Sequence, residues 1–139
     1  FIELMPIGMG KNLTGLSPEA VKAQLTRRFG EMKEIETPSL SGPCSYFQLA
    51  DFPGKLGFIS AVSDCFCKRC NRVRLTSTGF LKTCLQFDKG VQLKPLLKGG
   101  NAEILAAMRA AIEDKPEHHI FSEKSGENIE TRIMSQIGG

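Results

Sequence analysis

Three cysteines have the residue type and spacing best suited to chemistry in this sequence. Cys67, Cys70 and Cys84 follow the pattern C-x-x-C-x₁₃-C, and two intervening residues allow the first two thiolates to bind one metal ion or cluster. Three thiolates can hold a [4Fe–4S] cluster with one iron left open, whereas a structural zinc ion takes four ligands. The residues available as a fourth zinc ligand are Cys44, Cys65, His118 and His119. The spacing alone leaves open an iron–sulfur cluster, a zinc site, or buried thiols without a metal.

The additional candidate ligands fit a shared site less well. Cys65 lies two positions before Cys67, but a C-x-C-x-x-C run rarely needs all three thiols, so we interpret Cys65 as a spare thiol. His118 and His119 are adjacent, and adjacent side chains point in different directions in an extended chain. We therefore expect these two histidines to be solvated surface residues.

The segment between Cys70 and Cys84 is predicted to form a β-hairpin. Residues 73–76 and 80–83 have the composition of two short strands. Between them, Gly79 can adopt the positive φ angle that a three-residue hairpin loop requires. Antiparallel pairing about this loop predicts that Cys84 returns beside position 70 or 71, next to the C-x-x-C pair.

Positive charge is concentrated in the same stretch, which contains no acidic residue. Its basic residues are Lys68, Arg69, Arg72, Arg74 and Lys82. On a strand, Arg72 and Arg74 would share one face while Val73 and Leu75 point to the other. Because arginine binds phosphate through two parallel hydrogen bonds, the pair is suited to holding a phosphate or nucleotide. The alternative is an exposed polar strand face without a ligand.

Composition places the chain among ordinary soluble globular proteins. It has 139 residues, of which 41% are hydrophobic and 24% charged, with a net charge of +3. This length suits one domain with a real core. No apolar run is long enough to span a membrane and no signal peptide is apparent, so five cysteines indicate a reducing cytoplasm rather than disulfides. The chain starts at Phe1 inside an apolar run, which we interpret as a piece lacking its N-terminal part.

The fold class predicted from hydrophobic patterning is α+β, a small and mostly antiparallel sheet with two main helices. The first helix should begin at Pro18 after the N-cap Ser17 and end at Gly30. The second should begin at an Asn101 N-cap and stop before Pro116, with an apolar stripe packed in the core. Strands are expected at residues 1–7, 32–36, 46–50 and 55–62, in addition to the hairpin, and a helical turn at 93–97.

The chain resembles the C-terminal part of the GTP 3′,8-cyclase family, radical S-adenosylmethionine enzymes of molybdenum cofactor biosynthesis. The matching motifs are Phe1-Ile-Glu-Leu-Met-Pro6, the block Phe66-Cys-x-x-Cys-Asn-Arg-x-Arg-Leu75, the following Gly79-x-Leu-x-x-Cys-Leu85 and the terminal Ile137-Gly-Gly139. They extend over nearly the whole chain, and the central block is highly specific. The resemblance implies that the intact enzyme rearranges GTP into a cyclic pyranopterin precursor, a lyase reaction.

The resemblance also implies roles for individual residues. Cys67, Cys70 and Cys84 would hold the family's second [4Fe–4S] cluster, whose open iron binds the purine of GTP. Segment Arg72-Val73-Arg74 falls on the family's GTP-binding segment. The remaining implied site residues are Met5, for S-adenosylmethionine, and Gly138 and Gly139, a tail that reaches the active site.

One large departure limits this resemblance. The family's other cluster uses C-x-x-x-C-x-x-C, which this sequence lacks, and that cluster binds S-adenosylmethionine and generates the radical. Residues 1–12 would then be the last part of a truncated barrel and 13–139 the C-terminal iron–sulfur and GTP-binding domain. This chain alone is expected to be inactive.

The expected partners of the chain are GTP and the missing barrel of the same protein. Neither nucleic acid nor a membrane is expected as a partner, and a homodimer is one option for the oligomeric state. Two alternatives come from other classes, a zinc-stabilised interaction module without catalysis and a carrier protein with a Gly-Gly terminus.

Overall fold

A computed structural model of the chain describes residues 1–36, 42–121 and 129–137. The α-helices are α1 (Pro18–Phe29) and α2 (Asn101–Glu113). The strands are β1 (Met32–Ile35), β2 (Ser45–Leu49), β3 (Leu56–Phe58), β4 (Arg74–Leu75), β5 (Phe80–Lys82) and β6 (Gly90–Gln92). Short 3₁₀ helices cover Gly8–Asn12, Cys67–Arg69, Lys94–Lys98 and Met134–Gln136. Within these ranges, two α-helices and two open antiparallel sheets confirm the predicted α+β class.

The first of two compact units comprises Phe1–Met5 and Asn12–Asn71. Its sheet has the order β1-β2-β3, with both pairs antiparallel. Phe58 is 2% exposed and lies at the centre of an aromatic cluster, stacked on Phe1 at 5.1 Å and edge-on to Phe47 at 5.5 Å. The Lys22 ammonium of α1 lies 4.3 Å from the centre of the Phe47 ring, a cation–π contact between the helix and this sheet.

Helix α1 begins and ends as the sequence predicts. The Ala20 backbone N–H donates to Ser17 Oγ at 3.1 Å, which satisfies one of the free amides of the first turn. At the other end Gly30 has a φ of 89° and donates its N–H to the Thr26 carbonyl oxygen. The N-cap, the proline and the terminal glycine therefore determine both bounds.

The second unit comprises Pro6–Lys11 and Arg72–Gly139. Its sheet has the order β4-β5-β6, again antiparallel throughout. Helix α2 packs against β6 and against the 3₁₀ helix Lys94–Lys98. Among the described residues of this unit, the buried apolar side chains are Ile7, Leu81, Leu93 and Ile137.

Two expectations about the elements were wrong. The first seven residues do not form a buried strand, since Ile2 makes only an isolated parallel bridge to Ile59 and remains 66% exposed. Helix α2 is capped by Gly100 rather than Asn101, and its predicted apolar stripe is only partly buried because Leu105 is 54% exposed. The division at residue 12 into barrel remnant and C-terminal domain stays a prediction. Among the described residues, no helix combines the length and apolar character needed to cross a bilayer.

Candidate metal and anion site

The predicted hairpin is present, and its loop has the predicted geometry. Strands β4 and β5 pair antiparallel, and the Thr76 N–H donates to the Phe80 carbonyl oxygen at 3.0 Å. The Gly79 N–H donates to the Thr76 carbonyl oxygen at 3.0 Å, and Gly79 has a φ of 83°. This is a three-residue loop that requires glycine at its last position because other residues are strained at positive φ.

The register of the hairpin corrects one detail of the sequence prediction. Arg74 is opposite Lys82 and Leu75 is opposite Leu81. Because the loop closes on positions 76 and 80, the same register continued would put position 84 opposite 72 rather than 70 or 71. Strand β4 itself starts only at Arg74, so Arg72 lies outside it, and both Val73 and Leu75 are exposed.

The C-x-x-C pair of the first unit is held by one short turn. Cys67 begins a 3₁₀ helix, and the Cys70 N–H donates to the Cys67 carbonyl oxygen at 3.1 Å. In the second unit Cys84 lies two residues beyond the end of β5. All three are half-buried and none forms a disulfide. Soft thiolate donors in this setting fit zinc or an iron–sulfur cluster; that all three bind one cluster stays a prediction.

Cys65, which the sequence suggests is a spare thiol, lies close to a predicted metal ligand. The Sγ atoms of Cys65 and Cys67 lie within 4.8 Å of one another, although Cys65 is exposed. Cys44 is half-buried, and its thiol donates weakly to the Ser45 carbonyl oxygen at 3.7 Å. Among the histidines, His118 is exposed as expected, but His119 is half-buried with its ring 4.6 Å from that of Phe121.

Glu3 fixes the loop that leads into the cysteine turn, a role that sequence reasoning did not identify. Its Oε2 accepts hydrogen bonds from the Val62 N–H at 2.7 Å and from the Ser63 N–H at 2.9 Å. The Ser63 hydroxyl adds a third at 3.1 Å. One carboxylate therefore holds the backbone a few residues before Cys65, and hydrogen bonds to an ionised acceptor are stronger than neutral ones.

A buried ion cluster joins β5 to the segment that follows Ile129. Lys82 and Glu130 are each 1% exposed, and the Lys82 ammonium donates to Glu130 Oε2. The same ammonium donates to the Phe87 carbonyl oxygen at 2.7 Å. Beside it, the Glu130 N–H donates to the Gln86 carbonyl oxygen at 2.6 Å. The sequence shows that Lys82 is basic, but it contains no pattern that pairs Lys82 with Glu130, which is 48 residues away.

Arg132 completes this cluster from the solvent side. Its Nε donates to Glu130 Oε1 and its Nη2 to Glu130 Oε2, both at 2.9 Å, while Nη2 also bonds Asp88. Burial would raise the pKa of Glu130, but the hydrogen bonds from Arg132 and Lys82 outweigh that effect and lower the pKa to about 2. Glu130 also raises the pKa of Arg132. Glu130 is thus ionised and fully engaged.

Arg74 contrasts with its cross-strand neighbour Lys82. It is half-buried, and its Nε is buried without a hydrogen-bond partner among the described residues. Ion pairs within the described ranges involve neither Arg74 nor the exposed Arg72. A buried guanidinium N–H without a partner carries a desolvation cost. The Arg74 guanidinium is therefore positioned to bind an anion.

The remaining predicted site residues are Met5, Gly138 and Gly139. Met5 is half-buried at the end of the first segment of the first unit. Gly138 and Gly139 lie outside the described residues. Their assignments to S-adenosylmethionine and to an active-site tail stay predictions.

Comparisons with known proteins cover the whole chain. The family described as Molybdenum Cofactor Synthesis C matches residues 1–121. A GTP 3′,8-cyclase of Clostridium perfringens is 39% identical over 141 residues, and one of Heliobacterium modesticaldum is 41% identical over 148. Both alignments include 100% of this chain but only 43% and 44% of the relatives. The chain thus spans less than half the length of these relatives, and it belongs to the Molybdenum Cofactor Synthesis C family.

Proposed function

We propose that the chain is the C-terminal part of a cytoplasmic GTP 3′,8-cyclase, and that it binds GTP and the second [4Fe–4S] cluster of that enzyme. The relatives' name and the alignment over the full chain support the activity. The observation that carries substrate binding is the charge asymmetry of the hairpin. Lys82 is neutralised by a buried carboxylate, whereas the paired Arg74 has none.

The part played by the arginines follows from their chemistry. A guanidinium presents a planar fork of donors that matches two phosphate oxygens, and it stays charged at any physiological pH. Partial burial of Arg74 strengthens such a contact because water competes less for the donors. Arg72, being exposed, would draw the triphosphate toward the site and then bind one of its phosphates.

The three thiols would hold the cluster in this proposal. Cys67 and Cys70 come from the two ends of one turn and Cys84 from beyond β5. When bound, a cluster with three thiolate ligands supplies one open iron to which the purine can coordinate. The remaining 56–57% of the relatives' length would provide the barrel, S-adenosylmethionine binding beside Met5, and radical generation. The Gly-Gly tail would close the same active site.

Substitution of the two arginines tests the substrate assignment. In the full-length enzyme, reconstituted anaerobically, Arg72→Ala and Arg74→Ala should each weaken GTP binding about 10- to 150-fold, the loss of roughly 1.5–3 kcal/mol for a charge-assisted bond. Arg→Lys should recover part of the loss, because lysine keeps the charge without the fork. Iron content must match the parent. Unchanged GTP affinity in both alanine variants would assign these arginines to an exposed strand face.

The zinc-stabilised interaction module remains the second candidate, and the proximity of Cys65 to Cys67 favours it. Metal analysis separates the two. An iron–sulfur protein isolated without oxygen should contain iron and sulfide, and Cys84→Ala should lose both while Cys44→Ala retains them. Tightly bound zinc that is lost in Cys65→Ala would instead support the module.

A further inference from the structure

We propose that Lys82 is a positioning residue that keeps Glu130 away from Arg74, and so keeps Arg74 available for an anionic substrate. The inference rests on the proposed function, because it assumes that Arg74 binds the triphosphate. Lys82, Glu130 and Arg74 all belong to the second unit. Lys82 would affect substrate affinity without contacting the substrate.

The hairpin register brings two cations side by side. Arg74 and Lys82 are directly opposite in the β4–β5 pair, so their side chains leave the same face with Cβ atoms about 4.5–5.5 Å apart. Two unpaired positive charges on neighbouring side chains would repel each other. Glu130 binds the Lys82 ammonium, and Asp88 Oδ1 lies 3.9 Å from it. An acidic side chain that bound Arg74 instead would make Arg74 unavailable to other anions.

Glu130 is saturated by four donors, one from Lys82 and three from Arg132. Oε2 accepts from the Lys82 ammonium and from Arg132 Nη2, and Oε1 accepts from the Arg132 backbone N–H at 2.8 Å and from Nε at 2.9 Å. Four donors saturate the carboxylate, which leaves it little capacity for a further guanidinium. Lys82, the cross-strand partner of Arg74, therefore occupies one of the four acceptor positions of Glu130.

Removal of Lys82 would leave one acceptor position of the Glu130 carboxylate empty. Glu130 Oε2 would keep Arg132 as its single donor, and a buried carboxylate with an empty acceptor position is costly. Arg74 is the neighbouring cation on the same face, and its buried Nε has no partner in the described part of the chain. Pairing of Glu130 with Arg74 would satisfy both groups, and the triphosphate would then have to displace an internal carboxylate.

Three variants of the full-length enzyme test this inference by GTP affinity. Lys82→Met should bind GTP at least about 10-fold more weakly. The double variant Lys82→Met with Glu130→Gln should return to within about 3-fold of the parent, since a neutral amide does not retain a guanidinium as a carboxylate does. Lys82→Arg, which keeps the charge, should stay near the parent.

The double variant separates positioning from stability. If Lys82 only supported the fold, removal of both partners would weaken binding as much as Lys82→Met does, and that result would overturn the inference. Lys89→Met provides a matched control, because it removes one lysine from an exposed ion pair with Asp114. All measurements are made where circular dichroism shows each variant folded. If Lys82→Met does not fold, Lys82→Gln replaces it in both variants, with the same expected pattern.

Arg74→Ala distinguishes failure of this inference from failure of the proposed function. Weaker binding in Arg74→Ala combined with parental binding in Lys82→Met would leave the arginine assignment intact and exclude the role of Lys82. Parental binding in Arg74→Ala would remove the basis of both.

Discussion

Replacement of Glu130 by glutamine should make the protein less stable at neutral pH, by an amount that disappears in acid. The pKa of Glu130 is lowered from 4.5 to about 2. Since one pKa unit corresponds to about 1.4 kcal/mol, the ionised carboxylate contributes on the order of 3 kcal/mol to folding. Because the folded-state pKa is the lower one, this contribution is complete above about pH 4.5 and is lost as the pH falls toward 2. The near-complete burial of Glu130 means that solvent does little to screen it.

The measurement is equilibrium urea unfolding of the parent and Glu130→Gln at several pH values between 7 and 2. We expect a difference in the free energy of unfolding of about 3 kcal/mol at pH 7, shrinking toward zero near pH 2. Asp114→Asn is the control, because its ion pair with Lys89 is exposed and should contribute at most about 1 kcal/mol. A difference that stays constant across this pH range would show that the Glu130 charge is not what stabilises the fold.

Three further substitutions test the elements that position the site. Gly79→Ala places a side chain at a φ of 83° and should destabilise the hairpin by about 1–2 kcal/mol in urea unfolding. Gly90→Ala should destabilise the fold more than Gly79→Ala, because its Cβ would lie 2.0 Å from the Leu81 carbonyl oxygen. Faster amide exchange at Leu81 should then show that the pairing of β5 and β6 is broken. Glu3→Gln should weaken the charge-assisted bonds that hold the Ser63 amide, which should then exchange with solvent roughly tenfold faster or more while the β5–β6 amides do not change.

Local signals in the sequence predicted most of the elements. The Ser17-Pro18 start and Gly30 stop of α1 depend on backbone chemistry within one turn, so they could be predicted without knowledge of the rest of the fold. The β4–β5 hairpin depends on Gly79 in the same way. The errors at the first strand and on α2 arose where burial decides, because Ile2 and Leu105 are apolar yet exposed.

The contacts that position the candidate site could not be predicted in this manner. Glu3 binds backbone amides 59 and 60 residues away, and Lys82 meets Glu130 across 48 residues. Charged residues are usually solvated, and a single sequence contains no pattern that pairs two distant charges. The cysteine spacing predicts a metal site because metal ligation imposes local geometry, whereas these ion pairs depend on the completed tertiary fold.

Stability alone does not account for a lysine at the buried position 82. Two apolar residues in place of Lys82 and Glu130 would avoid the desolvation of two charges, and such exchanges are often neutral or stabilising. We infer that the ion pair does something that an apolar pair cannot, because Glu130 is bound to Lys82, the cross-strand partner of Arg74, and is therefore not available to Arg74. Arg132 reinforces the assignment from the other side of Glu130. The result is a strand face on which Arg74 keeps an unsatisfied donor, the condition under which an incoming phosphate gains most from binding there.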